Sequence, residues 1–168
     1  RAVGFNTDAD AIARVLKEDM HVRLPGATVL LLGAGGAGKT AGQQLGREGV
    51  DTLWLVNRTM ARAEALAEEL RAAHPGLTVR TGYPSGTVDV LVNATSLGLR
   101  SEDPLPFDET RFDLRQAGVV FDIVYRPAET PLLRAARRAG CRATNGLSML
   151  LYQGARALEL WSERPAPL

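Results

Sequence analysis

Gly33-Ala34-Gly35-Gly36-Ala37-Gly38-Lys39-Thr40 is the stretch of this chain whose residue types and spacing bear most directly on chemistry. Read as GxGxxG, it is the turn that brings a dinucleotide pyrophosphate against a helix N-terminus. Read as GxxxxGK[ST], it is the P-loop of an ATPase or GTPase. Both patterns use glycine for one reason: a phosphate reaches backbone N–H groups at a helix start only where no Cβ intervenes. What separates them lies about 20 residues further on, where a dinucleotide fold reads the adenosine ribose. There the chain has Asn57-Arg58-Thr59. A carboxylate would accept hydrogen bonds from the ribose hydroxyls of NAD, whereas a guanidinium fork beside a hydroxyl matches a 2′-phosphate. The dinucleotide reading therefore specifies NADP. Val119-Val120-Phe121-Asp122 could serve a P-loop protein as an acidic metal-holding strand, so the hydrolase reading stays open.

Alternating strands and helices must position these residues. Thr28 to Leu32 is an apolar run ending at Gly33, and Ala37, Ala41 and Leu45 recur at four-residue intervals behind it, which predicts strand, tight turn and helix without a spacer. Thr52 to Val56 predicts the next strand. Met60 to Ala73 carries Ala63, Leu66, Ala67 and Leu70 on one face, and His74-Pro75-Gly76 stops it. Short strands are expected at Leu77 to Arg80, Val88 to Val92, Val119 to Val124 and Arg142 to Thr144. The segment 93–114 has no steady period, contains Pro104 and Pro106, and reads as a long loop of the functional or mobile kind. Thr130 caps and Pro131 opens a helix that Gly140 closes. At the start of the chain, Thr7 and Asp10 form an [ST]xx[DE] capping box for a helix running to about Met20. At the end, Leu147, Leu150, Leu151, Gly154, Ala155, Leu158 and Trp161 mark an amphipathic terminal helix. The expected fold class is α/β, a doubly wound parallel sheet of the Rossmann-like NAD(P)-binding type with a C-terminal amphipathic helix.

At 168 residues the chain is about one domain, large enough to bury a core without metals or disulfides. Lys and Arg number 20 against 19 Asp and Glu, and the net charge of +1 gives no long-range attraction for nucleic acid or anionic membrane. The cluster Arg134, Arg137, Arg138 and Arg142 reads as a solvated helix face and its exit. One cysteine, Cys141, excludes a disulfide framework within the chain and fits a reducing cytoplasm. His21 and His74 have no partners at ligand spacing, so no metal site is expected. No apolar run approaches the ~18 residues of a membrane span. The chain starts at Arg1 without a methionine, as a proteolytic product or a portion of a longer protein would.

Six spaced segments resemble the shikimate and quinate dehydrogenase family. Gly4-Phe5-Asn6-Thr7-Asp8 is similar to the family's GxNTD, Gly33 to Ala37 to its GAGGA, and Asn57-Arg58-Thr59 with Arg62 to its NRTxxR. Asn93-Ala94-Thr95-Ser96-Leu97-Gly98 resembles NATxxG. Asp122-Ile123-Val124-Tyr125 with Thr130-Pro131-Leu132-Leu133 resembles DxxYxPxxTPLL, and Gly146-Leu147 through Gln153 resembles GLGMLxxQ. Six motifs in order along nearly the whole chain are far more specific than a Gly-rich loop.

The resemblance implies NADP-dependent hydride transfer between the cofactor and 3-dehydroshikimate or shikimate, on the route to aromatic amino acids. Carried over by position, Gly33, Ala34, Gly35, Gly36 and Ala37 would face the pyrophosphate, and Asn57, Arg58, Thr59 and Arg62 the 2′-phosphate. Ile123, Tyr125 and Gly146 would face the nicotinamide, with Thr95 also on the cofactor. Gln153 would hydrogen-bond the substrate. Asp8 matches the acidic member of a catalytic lysine–aspartate pair that binds and polarises the reacting hydroxyl. The resemblance covers only the second half of a usual dehydrogenase, and the substrate domain with its SxS segment and catalytic lysine has no counterpart here. The implied division is 1–22 as a helix linking to that absent N-terminal domain, 23–145 as the NADP-binding domain, 146–162 as a helix packing toward the substrate domain, and 163–168 as a tail. Lys17 lies nine residues from Asp8, roughly 13 Å along a helix axis, and Lys39 belongs to the phosphate turn, so neither can replace the missing lysine. The chain alone is expected to bind cofactor and turn over poorly or not at all. Ala9 and Ser148 stand where the family has glycine, which leaves quinate or another polyol acid open as substrate. A non-catalytic NADP-binding module is the alternative, and homodimerisation is left open.

Overall fold

Leu-Val runs without alternation suit strands covered on both faces, and that is where they lie. The computed structural model describes residues 4–167; Arg1 to Val3 and Leu168, the ends of the expected linking segment and tail, fall outside them. Helix α1 (Thr7–Arg14) continues into a π-helical turn (Val15–Asp19). There follow β1 (Thr28–Leu32), α2 (Gly36–Arg47), β2 (Thr52–Val56), α3 (Met60–Ala73), β3 (Thr78–Thr81) and β4 (Val88–Asn93). A 3₁₀ turn (Leu114–Gln116) leads into β5 (Ala117–Asp122), α4 (Pro131–Arg138), β6 (Arg142–Thr144) and α5 (Leu147–Ser162). The strands form one parallel sheet in the order β3-β2-β1-β4-β5-β6, which is the doubly wound arrangement expected.

Alternate residues of each central strand feed opposite cores. Val29 and Leu31 pack with α1, α2 and α3, while Leu30 and Leu32 pack with Leu132 and Ala136 of α4. The segment 94–113 is indeed a loop, yet it covers the second face of the sheet: Phe107 and Phe112 are buried there, their rings edge to face at 6.1 Å. Sequence periodicity misses this because a loop can anchor a core by two aromatic side chains with no repeat between them.

Several expected boundaries shift for physical reasons. The first helix is capped by Asn6, whose Oδ1 accepts from Ala9 N at 3.3 Å; Thr7 is already helical, so the Thr7–Asp10 capping box does not form. Strand β5 begins at Ala117, which is paired with Val88, and ends at Asp122, whose carboxylate accepts the N–H of Val124 and so turns the chain. Leu77 is buried but donates its N–H to His74 O in the preceding turn, which delays β3 to Thr78. Thr130, Pro131 and Gly140 act as expected, with Thr130 Oγ1 accepting from Leu133 N at 3.2 Å.

Candidate functional site

Between β1 and β4 the chain order reverses, and in such sheets the crevice beyond the carboxyl ends of those strands is the natural ligand position. The glycines there divide their tasks. Gly33 has φ +103°, and a Cβ on it would stand 2.8 Å from Ala94 O. A Cβ on Gly38 would stand 2.1 Å from Gly33 O, so α2 can start this close to β1 only with glycine in that place. Gly35 and Gly36 meet nothing within 4 Å, which leaves their backbone open to the crevice. Gly35 is the N-cap of α2 and offers no side chain to its first-turn N–H groups. The structure therefore holds an uncapped helix start behind a surface a Cβ would obstruct, a fit for a pyrophosphate.

Asn57 joins this turn to the next one. Its Oδ1 accepts from Ala34 N at 3.1 Å, and its Nδ2 donates to Thr59 O at 2.8 Å. Arg58, Thr59 and Arg62 follow at the start of α3 and are exposed. Among the described residues neither arginine has a salt-bridge partner, whereas Arg14, Arg115, Arg137 and Arg156 do. Two arginines without an ion-pair partner among the described residues thus follow directly on the bridge that Asn57 makes to the glycine turn.

The P-loop reading finds no matching geometry. Lys39 pairs with Glu69 of α3 at 2.5 Å, and Thr40 Oγ1 accepts from Asn6 Nδ2 at 3.3 Å. Asp122, the candidate metal-holding acid, is fully buried and saturated: Oδ1 accepts from Asn93 Nδ2 at 2.9 Å and Val124 N at 3.1 Å, and Oδ2 from Thr130 Oγ1 at 2.6 Å. Burial pushes its carboxyl above the usual range, and the hydrogen bonds from Thr130, Val124 and Asn93 oppose that rise.

This Asn93–Asp122–Thr130 cluster was absent from the candidate site residues. Asn93 also donates to Leu97 O and accepts from Thr95, so the cluster fixes the loops after β4 and β5 relative to each other. Its signal was present in the NATxxG and DxxYxPxxTPLL segments, but periodicity cannot reveal that polar residues 29 and 8 positions apart pair in the interior.

Asp8, Ile123, Tyr125, Gly146, Met149 and Gln153 converge on one pocket of about 300 Å³. Ile123 and Tyr125 also line an adjoining cleft of about 550 Å³ with Thr95, Ser96 and Leu99. Asp8 is exposed in the first turn of α1, and Tyr125 is 46% exposed. Gly146 must be glycine, since a Cβ there would lie 1.9 Å from Ile123 O. Gln153 folds its amide back, Nε2 donating to Leu150 O at 3.1 Å. Ser148 lines an apolar groove with Leu147 and Leu151 instead of this pocket, and Ala9 is buried. Neither lysine turns to Asp8: Lys17 pairs with Glu48 at 3.0 Å and Lys39 with Glu69.

A family model described as shikimate / quinate 5-dehydrogenase matches residues 14–98, and one described as shikimate 5′-dehydrogenase C-terminal domain matches residues 146–168. The chain is similar to the shikimate dehydrogenase (NADP(+)) of Methanopyrus kandleri, 38% identical over 98% of this chain and 59% of that protein. Among solved structures it resembles a shikimate dehydrogenase in complex with NADP+ (TM-score 0.85, 28% identity, 99% of this chain and 59% of that one). It also resembles the quinate dehydrogenase of Corynebacterium glutamicum in complex with NAD (TM-score 0.83, 30% identity, 98% and 59%). The chain spans about three fifths of the length of the curated relatives it matches.

Proposed function

This chain belongs to the shikimate / quinate 5-dehydrogenase family, and from that premise we propose that it is the NADP-binding portion of an oxidoreductase acting reversibly on 3-dehydroshikimate and shikimate. Bound NADP(H) supplies the hydride chemistry. The chain's own residues bind and orient. Gly33 to Ala37 and the N-terminus of α2 take the pyrophosphate, and Asn57 holds the 2′-phosphate turn against the glycine turn. Arg58, Thr59 and Arg62 provide two positive charges and a hydroxyl for the extra phosphate. Thr95, Ile123, Tyr125 and Gly146 shape the cleft toward the nicotinamide, and Asp8 and Gln153 meet the polyol acid in the pocket those residues share. Asp8 is the acidic member of a pair whose lysine belongs to a substrate domain, against which the exposed apolar side chains of α5 pack.

One observation carries this reading: Arg58 and Arg62, without ion-pair partners among the described residues, follow β2 on a turn that Asn57 ties to a glycine turn with an open backbone. The relative from Methanopyrus kandleri is named for NADP(+) and one similar structure is described with NADP+, another with NAD, so discrimination between the two dinucleotides is the property to measure. Parallel equilibrium titrations with NADPH, NADH and ATP–magnesium test it. NADPH is expected to saturate in the micromolar range, NADH far above it, and ATP–magnesium not at all. Saturation by ATP–magnesium at micromolar concentration would restore the hydrolase reading.

A further inference from the structure

Helix α5 docks on α1 along one narrow seam and contributes to a binding pocket. Of its residues only Met149 and Ala155 are buried, while Leu147, Leu151, Leu158 and Trp161 are exposed, the last by 84%. Its apolar anchor is Met149, which joins the core of Ala11, Ile12 and Val15, with the Tyr152 ring packed against that core. Polar contacts to α1 and its π turn add to this anchor. Met149, Tyr152, Gln153 and Arg156 form one stripe at helical spacing. Met149 and Gln153 reach the pocket that contains Asp8, Arg156 reaches Asp10 at 3.8 Å, and Tyr152 Oη donates to Asp19 Oδ1 at 2.6 Å. The Arg14 guanidinium lies 4.1 Å from the Tyr152 ring centroid and is itself held by Glu18 through two hydrogen bonds of 3.0 and 3.1 Å.

The π turn is what makes Asp19 available. An undistorted helix repeat would carry the buried stripe of Ile12, Val15 and Leu16 on to Asp19, seven residues after Ile12, and so drive a carboxylate into the core. The wider turn, closed by Met20 N–H to Val15 O at 3.0 Å, delays the stripe by one residue. Met20 takes the buried place and Asp19 is rotated out against Tyr152. Such single wide turns recur at functional sites.

We propose that Tyr152 is a positioning residue: its hydrogen bond to Asp19 and its contact with Arg14 set the roll of α5, and through that roll the placement of Gln153 opposite Asp8. The inference rests on the proposed reaction for its consequence, though not for its geometry. With side chains about 5–6 Å from a helix axis, a roll of roughly 20° carries Gln153 about 2 Å, well outside hydrogen-bond tolerance. The Tyr152 phenol, pushed up to about 12 chiefly by the Asp19 hydrogen bond, remains a donor throughout the neutral range.

The test uses Tyr152→Phe and Asp19→Ala, with Asp19→Glu as a variant that can still accept the hydrogen bond. In the unjoined chain, the side-chain amide resonance of Gln153 is expected to move in the first two variants and return toward its original place in the third, with NADP+ affinity unchanged. In the dehydrogenase carrying its substrate domain, the KM for the polyol acid is expected to rise about three- to tenfold, with the KM for NADP+ unaltered and the double variant no worse than either single one. An unmoved Gln153 resonance with KM within twofold of the original overturns the proposal. If the unsubstituted dehydrogenase turned over no polyol acid, the proposed reaction would fail, and the Gln153 resonance would still decide the positioning.

Discussion

Asn57 spends both ends of one amide on two different turns, and its consequences differ from those of its neighbour Arg58. Removing it in Asn57→Ala loosens the glycine turn and the arginine turn together. Binding of both dinucleotides should weaken in an equilibrium titration of each, by about tenfold for NADP+, which uses both turns, and by less for NAD+, which uses only the glycine turn. Asp122 gives a second residue-scale prediction. Its folded pKa is raised by burial, so between the ordinary value of 3.8 and the raised one the folded state binds more protons than the unfolded state. Its contribution to stability is therefore greatest at the acid end and declines as pH rises through that window. Asp103, Asp108 and Glu159 shift the opposite way, chiefly through hydrogen bonds from Gly98, Thr110 and Ala166, and lose their contribution as pH falls. Comparing unfolding free energies of the wild type and Asp122→Asn across this range isolates the buried carboxyl. The wild type should lose ground to the variant as pH rises; a constant difference would contradict the assignment.

The strand-turn-helix unit permits a sharper separation of folding from binding. Gly38→Ala sets a Cβ 2.1 Å from Gly33 O and should cost about 3 kcal/mol or more in thermal or urea unfolding. Gly35→Ala meets no atom within 4 Å and should change stability by less than about 1 kcal/mol, while abolishing dinucleotide binding by blocking the backbone approach. Elements of this kind were legible because each local signal agreed with the next: an apolar run, a glycine turn and a helical repeat left one order of strands to build. Helix α3 and strand β6 fall on their expected bounds for the same reason. The π turn was not legible, since its cause is the conflict between Asp19 and the core stripe, which appears only when the helix is docked. The Asn93–Asp122–Thr130 cluster escaped for a related reason, as burial of a polar group is a property of the sheet's centre and not of any window of sequence.

For the whole molecule, Lys17 and Lys39 are committed to Glu48 and Glu69, far from the role a lysine beside Asp8 would fill. These 168 residues alone are accordingly expected to bind NADP+ without measurable polyol oxidation, given the ~10²–10⁴-fold share of rate that acid–base assistance contributes. NADPH absorbance in the presence of shikimate checks this, and turnover at rates typical of such enzymes would mean that another group replaces the lysine. The glycine turn, the Asn57 bridge and the free arginines matter only if they act as one NADP-selective surface. The measurement closest to that claim is an equilibrium titration of wild type and Arg58→Ala with NADP+ and with NAD+ at fixed ionic strength. Such a surface requires that the substitution weaken NADP+ by the equivalent of about 1.5–3 kcal/mol, the range for a charge-assisted hydrogen bond, and leave NAD+ nearly untouched. An equal loss for both dinucleotides, or none for either, would contradict it.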